Sequence, residues 1–539
     1  MLFKSLFHRN SIGFLSTVSL TRTASARFWP DVSRWAAILG NGYSLLGLSF
    51  LLSFFLRLPY FQHDFIFIDE AWWANGARAW LQGDLLYRDI WLDKNPPIFV
   101  LCGLLFRFFG VHMDAIHFGS LALVLGISLL LFAIGTTFWN RRVGGLAALF
   151  YAIASTTYYI PRIIGMNTET LMVAFTTAAV FFFLLGLKEG HRTAFFLAGL
   201  LSSLGFLTKP VAITQVGLFG LFLLLKRDGP QKICWRELLC TAGGYSLGLL
   251  AMVSYLQSKG ILEDWWNQAI LYGFRYVGAI PWDTYLINLV RKSGAFMMIY
   301  LWLFLLIAAA LFRQKSYSLQ MKVLALWAAA DAIGALAGRR LYANYFIQAI
   351  PSLSLLGAVG AHFLAGQWEK KNSRRVLQWS MATFLIVFTW FHTRTLFHWW
   401  TWLTPSAQHS HVRMWDMHKE TRQLQSAADF IRSRTEPRDK LFIWGSKSQL
   451  YFLTGRDWAV PSMDFDVADD VPPRVSTREV RLAAIESLKQ APPKYIIDVQ
   501  QKLPLEKDPD FKGFVEQHYD LEKRFGEWRL FRLREAEGG

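Results

Sequence analysis

Charge is scarce in this chain. Of its 539 residues only 18% are Asp, Glu, Lys or Arg, and acids are the rarer kind, 39 against 56 bases. A soluble protein of this length would fold into several domains, each needing a polar surface. Cysteine is scarcer still. Cys102, Cys234 and Cys240 have no metal-ligand spacing, and residues 401–539 contain none, so that segment does not rely on disulfides. There is no Walker loop, dinucleotide fingerprint, zinc pattern or serine nucleophile elbow, and no internal repeat.

Apolar residues make up 53% of the chain, with 23 Trp and 45 Phe, and they come in long blocks separated by short basic clusters. That is the pattern of a helical polytopic membrane protein. The net charge of +17 follows from the basic clusters between blocks. Retention of positive charge on the cytoplasmic side accounts for it, and no nucleic-acid partner is expected. Residues 1–35 are Ser/Thr-rich and basic, like a transit peptide, and are read as a basic cytoplasmic leader.

Apolar runs of roughly 17–25 residues mark spans. Eleven are predicted, near 36–56, 115–139, 144–160, 170–187, 193–207, 211–225, 238–257, 293–312, 323–337, 345–364 and 376–397. The run from Pro97 to Gly110 is apolar but short. Placing it along the membrane interface keeps the basic clusters at Arg141/Arg142, 188–192, 226–236, 313–322 and 370–375 on one side with the N-terminus. The outer side then receives 58–114, 161–169, 208–210, 258–292, 338–344 and everything after His398. The resulting division is a leader, a membrane domain over 36–400 and an outer domain over 401–539. In the outer domain, 418–434 and 478–490 read as amphipathic helices, and 441–444, 495–499 and 528–532 as short strands, a small α/β domain. His409, His411 and His418 read as a surface linker.

The polar residues of interest lie in the outer segments. Asp69 and Glu70 sit side by side in Phe67-Ile68-Asp69-Glu70-Ala71-Trp72-Trp73. At a helix N-terminus they either serve the helix end or supply a carboxylate base. Lys94, in Asp93-Lys94-Asn95-Pro96-Pro97, precedes a helix opened by proline, as a snorkelling anchor or a phosphate contact. Glu169 closes the second outer segment, as a helix cap or a second pocket carboxylate. Lys209, Arg275, Arg339 and Arg340 lie outside against the general bias. Phosphate binding is one reason for them; ion pairing with Asp331 or Glu263 is the other.

At these residues the sequence resembles the C-superfamily glycosyltransferases, within them the protein O-mannosyltransferase and lipid A aminoarabinose transferase group. The resemblance runs from Ala36 to about Ala365 and includes Asp69-Glu70, Lys94 before the proline pair, Glu169, Gly205-Phe206-Leu207-Thr208-Lys209, Phe274-Arg275-Tyr276 and Gly338-Arg339-Arg340-Leu341-Tyr342-Ala343-Asn344-Tyr345-Phe346. Ile443-Trp444-Gly445 and Tyr451-Phe452-Leu453-Thr454-Gly455-Arg456 extend it into the tail. Asn95 intervenes between Lys94 and Pro96, and Asn344 stands where many bacterial members have His.

The resemblance implies a sugar donor linked to polyprenyl phosphate and a lipid, glycan or protein acceptor. It implies Asp69 as base beside Glu70 and Glu169. Lys94, Arg275, Arg339 and Arg340 would meet donor phosphate, and Asp93, Lys209 and Tyr345 would line the substrate pocket. No nucleotide or redox cofactor is required, and a divalent cation is admissible near Asp69 and Glu169. The expected location is a bacterial inner membrane with the site facing the periplasm. The alternatives are an O-antigen-ligase-like enzyme with a diphosphate-linked donor, and a transporter or flippase, which should show repeats or several mid-span ionisable residues. The topology is checked with a reporter active only outside the cytosol: fused after Gly455 it should be active, and at Arg142 silent.

Overall fold

Each of the eleven predicted apolar runs falls on a helix in the computed structural model, which describes residues 41–158, 162–225, 235–312, 318–403, 417–463, 478–500 and 505–534. The expected leader and the residues His409 and His411 lie outside the described residues. Among the described residues six helices are long and apolar enough to cross a membrane: Gly42–Phe61, Met113–Phe138, Thr168–Glu189, Trp235–Ser258, Leu319–Ala337 and Ala343–Ala365. A seventh is added if the bent pair Trp282–Ile299 and Leu301–Phe312 counts as one span. Helix length and composition thus mark six or seven spans among the described residues and do not fix the count at eleven. Arg141–Ala154, Arg192–Thr208 and Ile213–Leu225 have 14, 17 and 13 residues, and residues rise about 1.5 Å each against a hydrocarbon core of about 30 Å.

The helix ends follow local chemistry. Asn140 accepts from Val143 N at 3.0 Å and Ser318 from Met321 N at 3.3 Å, each satisfying a donor that the first turn leaves open. Between helices, backbones come close where side chains are small. Gly199 faces the Thr241 carbonyl and Gly244 the Phe196 carbonyl, with no room for a Cβ at either place. Small residues are what allow such close packing where lipid removes the hydrophobic drive.

In the first outer segment, Asp69–Gln82 packs on Pro96–Phe109. The second helix opens on Pro96 and Pro97, as predicted, with Asn95 at its cap. Its 14 residues extend about 21 Å, too short to cross unaided. Gly76 lies against Phe99, and Gly103 against Trp80.

The tail carries a five-stranded sheet in the order β2-β1-β3-β5-β4. The strands are β1 Lys440–Trp444, β2 Asp457–Trp458, β3 Tyr495–Asp498, β4 Tyr519–Phe525 and β5 Trp528–Leu533. β1 runs parallel to β2 and β3, with Leu441 opposite Tyr495, and β5 is antiparallel to β3 and β4. The three predicted strands are β1, β3 and β5, and the two predicted helices are Met417–Arg432 and Arg478–Gln490. β2 has two residues, too few for a pattern, and β4 exposes the five residues between Tyr519 and Phe525, so neither shows buried alternation. Helix Pro509–His518 was also not predicted.

This domain is fixed to the helix that begins at Asp69. Arg78 donates to the carbonyls of Tyr451 at 3.1 Å and Arg456 at 2.9 Å, and to Asp457 Oδ1 at 3.1 Å. Asn75 Nδ2 donates to Ser448 O at 2.9 Å, and Trp91 N to Pro461 O at 3.0 Å. Arg78→Ala should loosen the tail, at a cost of about 1.5–3 kcal/mol typical of hydrogen bonds to a charged group. Limited proteolysis should then cleave near residue 460 faster than in the parent protein.

Candidate active site

Asp69 and Glu70 form the first turn of the Asp69–Gln82 helix, where the free N–H groups and helix dipole favour negative charge. Adjacent positions on a helix diverge by about 100°, and the two acids meet opposite environments. Glu70 is fully buried. Its Oε2 accepts from Ile66 N at 2.7 Å and its Oε1 from Met166 N at 2.9 Å, with His117 Nε2 3.4 Å from Oε2. This carboxylate ties the first outer segment to the second. Asp69 is half-buried on the other side of the turn.

Three residues beyond Met166, Glu169 begins the Thr168–Glu189 helix and is also buried. Its Oε1 accepts from the Lys209 ammonium and, at 2.7 Å, from Asn344 Nδ2, while Thr168 Oγ1 donates to Oε2 at 3.0 Å. The Lys209 Nζ lies 4.1 Å from the centre of the Tyr345 ring. Three outer segments thus meet at one carboxylate. Burial lowers the Lys209 pKa, while the charges of Glu169 and Asp69 oppose that shift and that of Lys94 adds to it. Asp69, Lys94, Glu169 and Lys209 therefore share one electrostatic neighbourhood.

Lys94 sits just before the proline-led helix, as expected, with Nζ 2.6 Å from Asp93 Oδ2. Tyr87, at φ +73°, donates its hydroxyl to Lys94 O at 2.7 Å, and burial pushes its pKa well up. Asn95, which separates Lys94 from the prolines, accepts from Trp265 Nε1 at 2.9 Å. It locks this turn to the 258–292 segment.

A second cationic group surrounds Tyr342. Arg340 lies 4.0 Å over the Tyr276 ring and 3.5 Å from Tyr342 Oη. Arg162 and Lys292 lie 5.3 and 5.5 Å from the Tyr342 ring centre, and Lys292 Nζ donates to Arg340 O at 2.6 Å. Burial raises the Tyr342 pKa, but the hydrogen bond with Tyr276 and the cations Arg340 and Arg162 outweigh it and hold the phenol below its ordinary value. The φ values of Arg339 and Leu341, +47° and +48°, turn the chain sharply on either side of Arg340. Arg339 takes another direction, 4.0 Å over the Trp282 ring.

Of the four cations singled out against the charge bias, Lys209 pairs with Glu169. Asp331 instead accepts from Ser352 Oγ at 2.7 Å within the bundle. Arg275 is exposed on the Tyr272–Gly278 helix, and it is its neighbour Tyr276 that meets Arg340. Arg162, Lys292, Tyr276 and Tyr342 were not singled out. Arg162 and Lys292 carry the same signal as Lys209, a cation in an outer segment against the charge bias, and could have been found by it. The Lys209 ammonium and Asn344 amide occupy Glu169, so this donor set does not suit a divalent ion. Among the described residues no three His, Cys, Asp or Glu side chains gather as metal ligands.

Apolar helices followed by a small C-terminal α/β domain are an arrangement this chain shares with solved membrane proteins. Residues 93–257 match the family model described as dolichyl-phosphate-mannose-protein mannosyltransferase. No curated protein sequence matches the chain. Among solved structures the chain is similar in fold to ArnT from Cupriavidus metallidurans bound to undecaprenyl phosphate, with TM-score 0.60 and 13% identity over 93% of this chain and 98% of that one. The same protein in the apo state gives 0.57 and 15%, with the same coverage.

Removing one partner of a buried ion pair leaves the other charge stranded. Lys209→Met should therefore destabilise the protein by roughly 3–5 kcal/mol, read as a lowered unfolding temperature in detergent. The double variant Lys209→Met/Glu169→Gln should recover part of the loss.

Proposed function

We infer that the chain is a membrane glycosyltransferase that moves a sugar from a polyprenyl-phosphate donor to a lipid, glycan or protein acceptor. The setting is the outer face of a membrane, in a bacterium the periplasmic face of the inner membrane. The observation that carries this reading is the half-buried Asp69 at a helix N-terminus, in one electrostatic neighbourhood with Glu169, Lys209 and Lys94. The fold shared with ArnT, whose structure holds undecaprenyl phosphate, supports the donor class.

The reaction is a single displacement. Asp69 takes the proton of the acceptor hydroxyl or amine as its lone pair forms a bond to the anomeric carbon. The bond from that carbon to the phosphate oxygen breaks, and its electrons leave with the polyprenyl phosphate. Attack opposite the leaving group inverts the anomeric centre. A leaving phosphate needs little protonation where cations receive its charge, a role we assign to Lys94, Arg340, Arg162 and Lys292. Arg275 and Arg339 are assigned to phosphate by the resemblance alone. Glu169 holds Lys209 and Asn344 as a wall of the acceptor pocket with Asp93 and Tyr345. Glu70, with both oxygens engaged by backbone N–H groups, positions Asp69.

Asp69→Asn keeps the size and helix-end chemistry of the side chain but accepts no proton. Transfer should fall by roughly 10²–10⁴-fold while polyprenyl phosphate still binds. A rate near that of the parent protein, measured in proteoliposomes with radiolabelled donor lipid, would remove Asp69 from the reaction.

A further inference from the structure

Residues 282–292, assigned from sequence to an outer loop, and residues 293–299, the start of a predicted span, form one apolar helical segment with its polar side turned inward. Trp282–Ile299 has 18 residues, about 27 Å long, and is bent 82° from the Leu301–Phe312 helix that follows it. A helix nearly perpendicular to a span lies close to the membrane plane. Its outward face is made of Leu286, Ile287, Val290, Met297 and Met298, with Val290 77% and Met298 75% exposed. Its inward face carries the polar group: Lys292 reaches the Arg340 carbonyl, and Phe296 stacks on Phe346 with centroids 4.7 Å apart. A π-helical turn over Leu289–Ser293 inserts an extra residue at this point.

Surrounded by water, so long an apolar face would be an uncovered patch of a kind soluble surfaces avoid. It continues into the exposed Leu301 and Phe312 of the following helix, part of the apolar surface that the bundle presents outward. Arg291, exposed on the same helix, suits contact with phosphate headgroups. We propose that Trp282–Ile299 is a lipid-embedded wall of the site, its outer face among acyl chains and its inner face presenting Lys292 to the group around Tyr342. The occupant of the outer face is bilayer lipid. One consequence, which rests on the transferase reading, is that a lipid phosphate travelling along this wall reaches Arg162, Lys292 and Arg340 sideways from the bilayer.

The native protein in phospholipid nanodiscs tests this without substitution or turnover, so its result is independent of whether the chain transfers sugar. A diazirine dissolved in the acyl chains should label Leu286, Ile287, Val290, Met297 and Met298. Hydroxyl radicals generated in the water should oxidise Met297 and Met298 at least about tenfold more slowly than thioethers in water, since methionine is readily oxidised where solvent reaches it. Leu482 and Leu521, exposed on the tail, report that radicals reach the aqueous surface. Rapid oxidation without diazirine labelling would place the face in water and overturn the proposal. Protection from both reagents would mean protein covers it, a second copy of the chain included, and would overturn it equally.

Discussion

The Glu70 carboxylate holds together everything at the outer end of the bundle. With one oxygen it accepts from Ile66 N, and with the other from Met166 N, ninety-six residues along the chain from Glu70. A buried carboxylate is tolerated only when its lone pairs are met, and here they are met by main-chain N–H groups that would otherwise be unsatisfied inside the protein. Gly165 passes so close to Oε1 that an added Cβ would come within 2.6 Å. From this tie the first outer segment takes the position of Asp69, and the second takes those of Arg162 and Glu169.

Around that tie two kinds of cation environment are built. Lys209 is neutralised by Glu169 and stacked on Tyr345, a structural cation whose charge is already answered. Arg162, Lys292 and Arg340 gather on aromatic rings and a backbone carbonyl. Rings offer a cation attraction without a formal negative charge, worth roughly 0.5–2 kcal/mol.

Much of this was legible in the sequence because it depends on composition and sign. Apolar blocks marked the helices on which the eleven runs fall, and the Asp69-Glu70 pair and the proline-led helix after Lys94 were found where local chemistry placed them. Span number was less legible: the apolar run at Arg141–Ala154 looks like part of a span, yet its 14-residue helix is shorter than the bilayer core. The tie from Glu70 to Met166 was not legible, since it depends on where residue 166 arrives. The same holds for Tyr276 and Tyr342, whose aromatic character is common in a chain with 16% aromatic residues. Only their approach to Arg340 distinguishes them.

The clamp between Arg78 and the tail has an evolutionary side. Arg78 and Asn75 reach chiefly main-chain carbonyls, those of Ser448, Tyr451 and Arg456, and only Asp457 contributes a side chain. A joint made to carbonyls recognises the path of a loop and is indifferent to most of its amino acids. The tail domain is therefore free to drift in sequence while the helix bearing Asp69 keeps its footing.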